Sequence, residues 1–72
     1  MPLPHTDLRA DACVLYAKAA RLLNSSVEAS GRGDHTEARR LAEESERADD
    51  HASLLAGEAR YLEERWGREI AA

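Results

Sequence analysis

Small and large apolar residues alternate along this chain at steps of four and three. The first arm of the pattern reads Leu8, Ala12, Leu15, Ala19, Leu22, Ser26, Ala29, and the second reads Leu41, Ser45, Ala48, Ala52, Leu55, Ala59, Leu62, Trp66. Such steps return each residue to one face of a helix with 3.5–3.6 residues per turn. The pattern is interrupted once, at Gly31-Arg32-Gly33-Asp34. It therefore predicts two helices, over 7–30 and 35–70, joined by a turn over 31–34. Residues 1–5, which include Pro2 and Pro4, are expected as an extended lead-in, and the whole chain, 1–72, as a single helical domain. Thr6 or Asp7 is the expected N-cap of the first helix, with Leu3 folding back as a staple. Gly31 or Gly33 suits the left-handed end of that helix, and Asp34, with Thr36 as its rival, caps the next.

The first helix is apolar on most of its circumference. Between Ala12 and Leu23 only Lys18 and Arg21 are charged, and Asp11, Lys18, Arg21, Ser25 and Glu28 form one narrow polar stripe. A helix wetted on so little of its surface is expected to pack on more than one side. The second helix is longer. At 1.5 Å per residue its predicted span overhangs the first by ~18 Å, and the overhang carries Tyr61, Leu62, Trp66 and Ile70. The expected fold is all-α: a long antiparallel helical hairpin that pairs with a second copy into a four-helix bundle. The alternative is a three-helix bundle with a break near 49–57, at Asp49-Asp50-His51 or Gly57.

Composition sharpens the need for a partner. Of the hydrophobic residues, 43% of the chain, 14 are alanine, while Leu, Ile, Val and Phe together number 12 of 72. Alanine burial contributes little per residue, and a chain this short buries only about 60% of its unfolded surface. The net charge of −4 runs against a nucleic-acid footprint, which needs a concentrated positive face. Nucleic-acid binding by a dimer stays as an alternative, with Arg9, Lys18 and Arg21 of two copies forming one basic strip. The cluster Glu43, Glu44, Glu46, Asp49, Asp50 is expected as a solvated face. No run approaches the ~18 apolar residues of a membrane span, and the opening residues carry neither a basic nor an apolar targeting segment. The expected compartment is the reducing cytoplasm.

Candidate chemistry is sparse. Cys13 is the single cysteine, which excludes an intrachain disulfide, and a buried or half-buried thiol beside the seam is expected there. Di-metal sites in helix bundles use Glu-x-x-His, but the residue three before His51 is Ala48, and Glu44 and Glu58 lie seven residues away on either side. His5 falls in the lead-in and His35 at the turn. No catalytic residue, cofactor or metal ligand is expected, and ligand or metal binding in the bundle core is a second alternative, with Ser26 and Ser45 as its inward polar groups.

Two resemblances bear on architecture. Leu22 to Asp50 resembles a tetratricopeptide-type or microtubule-interacting-and-transport-type (MIT-type) helical hairpin. Ser26, Ala38 and Ser45 stand where those helices cross closely, and Gly33-Asp34-His35-Thr36-Glu37-Ala38 is similar to their turn. It departs from the tetratricopeptide pattern at Ala29 and Ala42, where that repeat has aromatic residues, and in lacking a closing proline. The alternation of small residues with leucine is similar to the seam of Rop-type hairpins, which implies pairing of two hairpins. The expected function is non-catalytic protein–protein association, as a small regulator, adaptor or chaperone-like subunit. Its partners would be a second copy and another protein, through Val14, Tyr16, Leu23, Val27, Tyr61, Trp66 and Ile70.

Overall fold

The computed structural model describes residues 4–71, with side chains from 5 to 68. Two helices, α1 (Pro4–Gly31) and α2 (His35–Ala71), pack antiparallel as a hairpin, and there is no strand among the described residues. α1 begins at Pro4, ahead of the expected start at residue 7. His5 is therefore helical, and Thr6 and Asp7 occupy the first turns instead of capping them. Proline suits this position because its missing N–H would have no intrahelical partner and its φ is already helical. Asp7 adds a negative charge near the positive end of the helix dipole. The expected Leu3 staple lies outside the described residues.

The turn satisfies the groups that both helix ends leave free. Gly33 has φ +83°, a left-handed conformation that costs glycine no side-chain clash. Its N–H donates to the Ser30 carbonyl at 3.0 Å, and the Asp34 N–H donates to the Ala29 carbonyl at 2.9 Å, the two bonds of a Schellman ending. Asp34 then caps α2. Its Oδ1 accepts from the Glu37 N–H at 3.1 Å and its carbonyl from the Ala38 N–H at 3.0 Å. Thr36, inside the helix, is not the cap. His35 is the first residue of α2, directly after the turn.

α2 runs 37 residues without a break, so the three-helix alternative is corrected. Ala48, Ala52 and Ala59 stay buried through both candidate break points, because the seam phase passes them without a slip. Gly57 faces outward, and a Cβ built there meets nothing within 4 Å. The earlier start of α1 shortens the overhang of α2 to ~14 Å by helix length.

Among the described residues, the buried ones are all small. Ala12, Ala19, Ser26 and Ala29 of α1 meet Ala38, Ser45, Ala48, Ala52 and Ala59 of α2. The seam leucines, at 8, 15, 22, 41, 55 and 62, are only half-buried. Alanine and serine let the backbones come close, and the leucines are displaced to the rims of that contact. The two buried hydroxyls take advantage of the short distance. Ser26 donates to the Ala38 carbonyl at 2.6 Å, and Ser45 donates to the Ala19 carbonyl at 2.7 Å, each across the helix pair. Among the described residues no buried side-chain polar atom lacks a partner.

The product is a slender rod, 59 × 18 × 11 Å, with a radius of gyration of 16.7 Å. A compact domain of this length would have a radius near 11 Å.

Candidate association surface

The seam divides the hairpin surface into two lateral grooves. One is lined by Tyr16, Ala19, Ala20 and Leu23 of α1 and Ala42, Ser45, Glu46 and Asp49 of α2. The other is lined by Leu15 and Lys18 of α1 and Glu44, Arg47, Ala48 and His51 of α2. The acidic cluster expected on α2 is thus split between the two sides. So are the basic residues. Arg9 lies beside Ala56, Gly57, Arg60 and Glu63, while Lys18 sits in the charged groove. Within one chain, Arg9 and Lys18 do not share a strip.

The first groove has an apolar wall on α1. Cys13, Tyr16, Ala20, Leu23 and Val27 recur at steps of three and four, which makes them a second stripe beside the seam. Leu23 is 52% exposed, Val27 65% and Tyr16 41%. Cys13 is exposed, not tucked beside the seam as expected, because position 13 faces outward when 12 faces α2. The Tyr16 hydroxyl and the Ser53 hydroxyl lie 3.2 Å apart, which ties the ring across to α2 and holds it along the groove.

The remaining expected interface residues do not join this stripe. Val14 is exposed on the far side of α1. Leu54 and Tyr61, exposed on α2, line a shallow dent at Gly57 together with Ser53, Glu58 and Leu62. Trp66 is 46% exposed, so the chain itself does not enclose it. The side chain of Ile70 lies outside the described residues. Sequence reasoning passed over Leu54, the most exposed of these residues, and Ala20 at the centre of the stripe. Both were legible from spacing, Leu54 seven residues before Tyr61 and Ala20 between Tyr16 and Leu23.

Ion pairs line the edges. Arg9 holds Glu63 through two hydrogen bonds, one of them 2.9 Å, linking the helices near their open end. That hydrogen bond, with the charge of Arg9, keeps the Glu63 carboxyl below the usual carboxylate range. Arg40 lies between Glu37 and Glu44, and its hydrogen bond lowers the Glu37 carboxyl in the same way. The two arginines are exposed and their carboxylate partners only half-buried, so the pairs are screened and individually weak.

Among the described residues no three His, Cys, Asp or Glu side chains gather as a metal site would require. Likewise no helix among them is long and apolar enough to cross a membrane. Comparison with protein-family models, curated proteins and solved structures finds no match for this chain.

Proposed function

We propose that this chain is a non-catalytic association module whose first partner is a second copy of itself, two hairpins packing into a four-helix bundle. The observation that carries the reading is a mismatch between what the hairpin buries and what it leaves out. Among the described residues the buried ones are all alanine or serine, and seven large hydrophobic side chains are exposed. The chain exposes 5371 Å² of surface. A compact monomer of the same mass would expose about 4,400 Å², so roughly 1,000 Å² is surplus. Each partner in a standard-sized complex hides ~800 Å². The surplus is the size of one interface.

The same features support a regulatory, adaptor or chaperone-like role as part of this reading. The module offers two polar-rimmed grooves and a dent at Gly57, and a dimer on one groove leaves the other features open to another protein. The test is solution mass. Light scattering with sedimentation, at micromolar concentration, should give twice the 7.9 kDa chain mass. A cooperatively folded monomer across that range would overturn the reading.

A further inference from the structure

We infer that the second copy docks on the outer stripe of α1, antiparallel, about a two-fold axis at Ala20, so that Cys13 of each chain lies opposite Val27 of the other. The inference rests on the self-association proposed above and specifies its face and register. Three observations point to it.

The first is the spacing of the stripe. Cys13, Tyr16, Ala20, Leu23 and Val27 step by three, four, three and four. Read in the opposite direction from Ala20, the steps become four and three, so the large Tyr16 and Leu23 of one copy fall beside those of the other without meeting head-on. Ala20, the smallest of the five, sits at the crossing and lets the helices approach. An isologous contact needs this kind of self-complementarity. The stripe at Leu54 and Tyr61 offers no such series, because Gly57 and Glu58 separate them.

The second is the groove beside the stripe. Ala19, Ala42 and Ser45 form its floor between the two helices, and Tyr16 and Leu23 stand on its wall. A partner's Leu23 has a concave, small-residue surface to enter, and the flanking Glu46 and Asp49 give the contact a polar rim, as in stable interfaces.

The third is charge. Glu46 and Asp49 line this groove from α2, and Arg39 shares their face by its spacing of three and four through Ala42; none of the three makes a side-chain hydrogen bond or ion pair among the described residues. The hydrogen bond from Ser45 to the Ala19 carbonyl sets the register of α2 against α1. A two-fold at Ala20 therefore passes α2 near residue 45. It brings Arg39 of one copy within one turn of Asp49 of the partner subunit, twice in each dimer. Glu46 falls close to its own symmetry mate, a like-charge approach.

Cysteine crosslinking tests the register directly. In the Val27→Cys variant, copper–phenanthroline oxidation should convert most of the protein to a covalent dimer through Cys13 and the new thiol. The unmodified chain should remain uncrosslinked, since its two Cys13 thiols would lie ~21 Å apart along the axis. Leu54→Cys, exposed on the other side, should also stay uncrosslinked. A covalent dimer from Leu54→Cys but none from Val27→Cys overturns the inference. A second variant guards against a perturbed cysteine mutant. Ala20 is exposed, so Ala20→Glu leaves the hairpin helical while weakening self-association about 100-fold, by placing two carboxylates at the crossing. Glu46→Gln should tighten it. If the unmodified chain is dimeric but Ala20→Glu keeps its affinity, this face is wrong and the association reading stands. If the unmodified chain is monomeric, both fail.

Discussion

At the scale of single residues, this hairpin inverts the usual roles of alanine and leucine. Alanine, which contributes little transfer energy, fills the centre because its size sets the distance between the backbones; leucine, which contributes more, is left half-wet at the rim. Volume is therefore the constraint to perturb. Ala52 is fully buried, so Ala52→Leu should overpack the seam and cost roughly 1–3 kcal/mol in urea unfolding, and Ala19→Leu should behave alike. Leucine at exposed Ala17 should leave the midpoint unchanged; equal shifts at all three positions would place the seam elsewhere. Ser45→Ala should cost about 1 kcal/mol by removing the donor to the Ala19 carbonyl. The identity of these residues was legible in their spacing. How deep each one sits was not, because a heptad phase says which way a side chain faces and not how closely the helices approach.

At the scale of the elements, the two glycines at 33 and 57 look alike in sequence and should respond oppositely to one substitution. Gly33 holds the left-handed ending of α1, so Gly33→Ala should destabilise the hairpin by about 1 kcal/mol. Gly57 sits in a helix with open space around its would-be Cβ, so Gly57→Ala should stabilise it by about 0.5–1 kcal/mol. Thermal melts of the two variants on either side of the parent check both signs. The turn was readable in advance because its chemistry is local: a glycine for positive φ and an aspartate three residues before a free N–H. The continuity of α2 was readable from the unbroken phase of its small residues. The start of α1 was not. Pro2 and Pro4 fit an extended lead-in, but proline is equally at home in the first turn of a helix, and spacing alone does not separate the two.

At the scale of the whole molecule, exposed ion pairs should make stability respond to acid in a known direction. The Glu63 and Glu37 carboxyls are held below the usual range by Arg9 and Arg40. Their stabilising contribution is complete above the unfolded carboxylate value, near 4.3 for glutamate, and disappears as pH falls through the lower folded value. The urea midpoint should drop over that window, less so in high salt, and Glu63→Gln should flatten part of the drop. Trp66 tests a different part of the rod. A buried tryptophan truncated to alanine costs ~3–5 kcal/mol, but one that is 46% exposed should cost well under that. With the pairing face on α1 near Ala20, Trp66→Ala should also keep the parent's solution mass. Loss of the dimer in that variant would move the interface to the end of the rod. The outer stripe itself was only partly legible. Val14, Tyr16, Leu23 and Val27 stood out as apolar, but which of them share a side depends on where α2 lies, and that required the packed hairpin.

Every link between the helices in this rod leads back to one turn. The hydrogen bond from Ser26 to Ala38 closes a span of 12 residues, that from Ser45 to Ala19 spans 26, and Arg9 reaches Glu63 across 54. The chain can therefore close like a zipper from Gly33 outward, each contact shortening the loop that the next must close. Opening runs the other way. In the monomeric state, amide hydrogen exchange should be slowest beside the turn and faster toward Pro4 and Arg68. A pairing centred at Ala20 clamps the middle of the rod, so dimerisation should slow exchange most between the levels of Cys13 and Val27, leaving the open end to breathe on its own.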